Sequence, residues 1–180
     1  MRLLALSAFA FAGLWAQTQA PTVARIYDSQ LSGIERELVP LVEALPADKM
    51  SFAPTQGEFK GVRTFAQQAT HTATVIYEVC SALLEEKNPI EPGADDNGPA
   101  TLKTKEDVVK YVKDAFAYGH KAMQTLTAEN FTGQIKSPWG PNKMSRASLA
   151  SIAVSHSFDH YGQMVVYARM NGIIPPASRR

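Results

Sequence analysis

The chain has 180 residues, with 18 Lys and Arg against 17 Asp and Glu, and hydrophobic residues make up 45% of it. Near-balanced charge without a long basic stretch argues against nucleic acid as a partner, and a single cysteine, Cys80, excludes an intramolecular disulfide. The fold must therefore be held by its core or by a bound metal, and the length suits one domain.

The chain opens with Met1-Arg2, continues in a short apolar run from Leu3 to Trp15, and then offers small residues at Ala16 and Ala20. This is the layout of a secretory signal peptide, and the run is too short to span a membrane comfortably. Cleavage after Ala20 places Thr18 and Ala20 at the positions that favour small residues, whereas cleavage after Ala16 would place Leu14 there. An uncleaved anchor is the alternative. Residues 1–20 are accordingly read as a leader and 21–180 as one exported domain, periplasmic or extracellular, with no stable membrane span once the leader is removed. Arg2 is the leader's only charged residue, so the mature chain carries equal numbers of acidic and basic groups.

Helical periodicity dominates the rest, and alternation of the kind that marks strands is scarce. A first helix is expected over about Thr22 to Leu45, with Ile26, Leu31, Ile34, Leu38, Leu41 and Leu45 on one stripe and a kink or break at Pro40. Pro46 to Lys60 reads as an ordered loop. A second helix should run from about Val62 to Glu86, with Phe65, Ala69, Ala73, Ile76, Cys80 and Leu83 facing inward. The proline- and glycine-rich stretch from Asn88 to Ala100 is a loop long enough to cross one end of a bundle. Thr104 and Asp107 form a capping-box pattern that opens a third helix, with Val108, Val112, Phe116, Gly119 and Met123 on its stripe. Thr127 to Met144 is a second long connection, after which Ser145 caps a fourth helix that ends at Asn171-Gly172. Four helices with two long connections predict an all-α four-helix bundle with crossover connections and both parallel and antiparallel neighbours.

The fourth helix carries His156 and His160, four residues apart. That spacing projects two imidazoles to nearly the same side of a helix, about 6 Å apart along its axis, so they can converge on one metal ion. Leu149, Ile152, Gln163, Tyr167 and Met170 lie on the same stripe, so both rings interrupt a core-facing surface and each needs a hydrogen-bond partner or a metal. Core histidines satisfied by neighbouring side chains are the plain alternative. A third ligand must come from His71 or His120. On helical wheels His120 lies about 80° from the centre of its stripe and His71 about 140° from its own, so periodicity favours His120 and places His71 on a polar surface.

The segment His156-Ser157-Phe158-Asp159-His160-Tyr161-Gly162-Gln163, followed by Gly172 and Pro175-Pro176, resembles the end of DinB-family proteins, with their His-x-x-x-His-x-Gly-Gln run and Pro-Pro tail. Phe65 to His71, leading to Tyr77-Glu78-Val79-Cys80, resembles that family's second helix, and Leu45 to Pro54 its first loop. The resemblance implies a four-helix bundle holding a divalent metal on His71, His156 and His160, and it leaves His120 without a counterpart.

Three neutral imidazoles suit zinc, nickel or iron and leave positions open for substrate. Gln163 shares the face of His160, and Glu78 the face of His71. These two are the candidates for supporting roles, Glu78 also as a general base. Asp159 reads as a surface charge, and Tyr167 and Cys80 as core. The resulting expectation is an exported metal-dependent hydrolase or thiol transferase acting on a small molecule, with a homodimer as its assembly. The alternative is a metal-binding or purely structural bundle without turnover.

Overall fold

The computed structural model describes residues 20–179, so the expected leader, residues 1–20, lies outside the described residues apart from Ala20. Four helices account for most of the chain: α1 (Val23–Ala44), α2 (Phe65–Leu84), α3 (Lys105–Met123) and α4 (Arg146–Met170). Residues 124–145 contain the one departure from an all-α fold among the described residues, an antiparallel hairpin of β1 (Gln134–Lys136) and β2 (Lys143–Ser145). Each strand is three residues long, too short for alternation to register in the sequence.

Side-chain caps set the helix starts. Thr64 and Gln67 bond reciprocally, so α2 begins at Phe65 rather than at Val62, and Thr104 with Asp107 does the same for α3. Ser145 Oγ accepts from the Ser148 amide and starts α4. At the other end of α2, Glu85 turns left-handed and closes the helix. Pro40 does not break α1. Leu38, Leu41 and Val42 around it are all buried, and that packing outweighs the roughly 3 kcal/mol cost of a proline inside a helix. Ile26 and Met170, expected on inner stripes, are exposed; each sits in a terminal turn of its helix.

α1 packs against α3 and α4, and α2 packs against the same two helices, so the order around the bundle is α1, α3, α2, α4. Cross-helix bonds give the directions. Gln68 meets Gln163 while Arg146 meets the Leu83 carbonyl, so α2 and α4 are antiparallel. Thr74 meets Tyr111 and Glu86 meets Lys121, so α2 and α3 are parallel. A parallel pair forces the chain to return along the length of α2, about 30 Å for a 20-residue helix, before α3 can begin. The connection 85–104 makes that return, and it covers a face of α2 that would otherwise meet water. α2 is consequently buried nearly all round, including Thr70, Thr72 and Thr74. The hydroxyls of Thr72 and Thr74 donate to carbonyls one turn back, which satisfies them without exposure.

Candidate metal centre

The Thr64 cap places His71 two turns into α2, and the Ser145 cap places His156 and His160 in the middle of α4. Because these helices are antiparallel neighbours, the three rings meet. Ring centroids are 5.0 Å apart for His71 and His156, 4.8 Å for His71 and His160, and 4.4 Å for His156 and His160. One nitrogen from each ring lies within 4.8 Å of the other two. His71 and His160 are buried and His156 is half-buried.

Hydrogen bonds on the far sides of the rings fix two of the three tautomers. His71 Nδ1 lies 3.0 Å from the Asp96 carbonyl, which can only accept, so Nδ1 carries the proton and Nε2 presents a lone pair. His160 Nδ1 bonds Gln68 Oε1, the Gln68 amide donates to Gln163 Oε1 at 3.0 Å, and the Gln163 amide donates to an Asp159 carboxylate oxygen at 3.3 Å. The carboxylate at the end of this chain dictates both amide orientations, so His160 also holds its proton on Nδ1 and turns Nε2 to the cluster.

This arrangement fits a tetrahedral divalent metal. Nε2 of His71 and Nε2 of His156 are 3.2 Å apart. Bonds of about 2.0 to 2.1 Å from each nitrogen to zinc require an edge of roughly 3.3 Å. Protonation also favours metal. Burial holds the His71 imidazole below its ordinary value against the raising effect of the Asp96 carbonyl, and the Arg63 charge adds to the lowering. Burial, then the neighbouring His71 and Arg63 charges, push His156 down to about 4. Burial and the His156, His71 and Arg63 charges do the same to His160. All three rings are therefore neutral near pH 7, the form that donates to a metal.

Of the remaining sequence candidates, Gln163 belongs to the amide chain behind His160 and reaches the cluster through Gln68. Glu78 bonds none of the three histidines. Its Oε2 accepts from Trp139 Nε1 at 3.0 Å, and it lines a separate cavity of about 770 Å³ between the end of α2 and the hairpin. Burial raises the Glu78 carboxyl above its ordinary range. Asp159 is exposed, as expected of a surface charge, yet it anchors the amide chain. Cys80 is fully buried and its thiol is pushed up to about 12 by that burial. Tyr167 is core, with its hydroxyl donating to the Arg63 carbonyl at 3.3 Å.

His120, which periodicity favoured, is elsewhere: its two nitrogens meet Asp28 and Glu35 of α1. The wheel misplaced His71 because the face opposite its apolar stripe is covered by the return connection, not by water. Gln68, Asp96 and Arg63 were not singled out from the sequence. Gln68 precedes His71 by three residues, and that polar pairing on one helix face was its available signal; Asp96 acts through its carbonyl, which leaves no side-chain signature.

Fold and site together define a four-helix bundle with a buried three-histidine cluster between two antiparallel helices. The family model of the DinB superfamily matches residues 30–164, and the chain belongs to that superfamily. Solved structures agree on the fold. A DinB-like protein from Bacillus cereus ATCC 10987 is similar at 18% identity and TM-score 0.66, over 86% of this chain and 96% of that one. A DinB-like protein from Bacillus subtilis is similar at 18% identity and TM-score 0.63, over 86% and 99%. A conserved protein from Enterococcus faecalis is similar at 15% identity and TM-score 0.66, over 84% and 98%. No curated protein matches the chain.

Proposed function

We propose that this protein holds one divalent transition metal, zinc, nickel or iron, on His71, His156 and His160, and acts outside the cytosol on a small molecule. The observation that carries this reading is the approach of three neutral imidazoles, one nitrogen from each within 4.8 Å of the others. A divalent metal so held supplies Lewis acidity toward an oxygen or sulfur of the substrate. The protein's own part is orientation. Asp96 holds His71, and Gln68, Gln163 and Asp159 hold His160, so two ligand nitrogens are aimed in advance.

The reaction read from this site is hydrolysis or thiol transfer. Export, read from the leader-like start of the sequence, favours hydrolysis, because small thiols are concentrated in the cytosol. A second reading, a metal-binding bundle without turnover, draws support from the ring partners: a carbonyl and an amide, neither of which transfers a proton at neutral pH. Pairing of two copies is also part of the proposal, supported by Phe158, Val166 and Met170, which stand exposed at four- and eight-residue spacing on the outer side of α4.

Metal analysis of protein purified without an affinity tag tests the centre. About one divalent metal per chain is expected, with loss of it in His71→Ala and His156→Ala. Metal-free protein, unchanged by either substitution, would reject the centre. Ester, amide and thiol-transfer substrates, each run beside His160→Ala, then separate enzyme from binder.

A further inference from the structure

We infer that the polar cavity beside the three histidines is an anion subsite built on Arg63, and that the small molecule entering it carries a carboxylate. The inference deepens the metal-centre reading and rests on it only for what the rest of that molecule meets. The cavity measures about 590 Å³ and is lined by Arg63, Gln67, Asn97, Gln68, Gln163 and His160, among others. It therefore joins one guanidinium, several amides and one ring of the histidine cluster in a single space.

Arg63 is held rigidly by neutral groups. Its Nε donates to Asn97 Oδ1 at 2.8 Å, its Nη2 donates to the Asp95 carbonyl at 2.8 Å, and its own carbonyl accepts from Tyr167. These contacts occupy the side edge of the guanidinium, the edge formed by Nε and Nη2. The end edge, with one proton from Nη1 and the second from Nη2, meets no acceptor among the described residues. Nor does any described carboxylate lie within 4.0 Å of Arg63: all seven ion pairs among the described residues involve other cations. A half-buried cation docked on neutral partners keeps its charge for something else.

The other donors point to the same ligand chemistry. The Gln67 carbonyl oxygen is used by the Thr64 amide and the Asn97 oxygen by Arg63, so each residue keeps its NH₂ group as what it can offer a guest. A cavity rich in donors with one free guanidinium edge takes an acceptor with two coplanar oxygens. Asp95, the one carboxylate on the lining, is exposed at the rim and opposes a second negative charge. A singly charged carboxylate suits this balance better than a doubly charged phosphate.

The test is equilibrium binding to the full chain in its metal-free form, followed by NMR titration, with pentanoate, its neutral methyl ester and inorganic phosphate as probes. Pentanoate is expected to bind roughly tenfold or more tightly than the ester, the size expected of charged, forked hydrogen bonds. Phosphate should bind more weakly than pentanoate. Arg63→Gln should abolish the preference for pentanoate over the ester, and Arg63→Lys, which keeps the charge without the fork, should retain only part of it. Equal binding of acid and ester, tighter binding of phosphate, no binding of pentanoate, or an undiminished preference in Arg63→Gln would each overturn the inference. Should Arg63→Gln fail to fold by circular dichroism, full preference in Arg63→Lys overturns it instead. Metal content is read separately, so a chain that binds metal but not pentanoate rejects the subsite and leaves the centre standing.

Discussion

Gln68 is the residue on which the orientation of His160 turns, because it converts a ring proton into a chain of bonds ending on Asp159. Gln68→Met keeps the volume and removes both ends of that link. The variant is expected to fold and to bind metal about 10- to 100-fold more weakly, the usual cost of losing a partner behind a metal ligand, as measured by competition with a chromophoric chelator. Unchanged affinity would mean that the amide chain does not position the ring. His120 makes a different prediction. Burial works against its charged form, but bonds to Glu35 and Asp28 outweigh that and raise it above its ordinary value of 6.5. A histidine with a raised folded value contributes stability that is complete below 6.5 and is lost as pH climbs through the folded value. Denaturant unfolding should therefore show the wild type losing its advantage over His120→Gln as pH rises from 6 upward. A constant difference across that range would remove His120 as a charged link between α1 and α3.

Among the elements, the return connection between α2 and α3 carries more of the site than its one short 3-10 turn, Ala94–Asp96, suggests. Pro92 to Gly98 forms a closed loop: the Gly98 amide donates to the Pro92 carbonyl at 2.7 Å, and Gly93, at φ 75°, lies so close to the Gly98 carbonyl that a Cβ there would collide with it. Inside the loop Asp95 and Asp96 both adopt left-handed backbone, at φ 54° and 55°, and their carbonyls reach Arg63 and His71. Left-handed Asp residues are uncommon and cost about 1 kcal/mol or more each, so the loop must be over-determined by its surroundings. Gly93→Ala is expected to disturb this loop, lowering metal affinity while the helical content by circular dichroism stays unchanged. Wild-type affinity in that variant would show that the loop does not hold His71.

The same connection marks where the sequence stopped being readable. Helix number, the caps at Thr104 and Ser145, and the juxtaposition of His156 with His160 follow from spacing and local chemistry, since both act within a few residues. The inward turn of His71 depends on a segment 25 residues away in the chain, and no wheel drawn on α2 alone contains that information. The hairpin was hidden by its brevity, and Arg63 by the fact that its partners are backbone and amide.

At the scale of the whole molecule, α4 packs against α1 and α2 and still leaves Phe158, Val166 and Met170 exposed at 44%, 53% and 53%. A single exposed apolar residue is ordinary, but three on one ridge form a surface suited to a second copy. Light scattering on the full chain is expected to give twice the chain mass, falling to one chain in Phe158→Asp combined with Val166→Asp. A monomeric wild type would reject pairing. Among the described residues no helix is long and apolar enough to cross a membrane.

The proposed ligand set is split across the chain, with His71 on the second helix and His156, 85 residues later, on the last. α4 alone brings two of the rings to one side, and the third joins them only when α4 docks against α2. The complete three-ring set is therefore a product of helix docking and not of any one segment. A metal held as proposed would, on recovery from the native protein, reflect the ions present where those two helices docked.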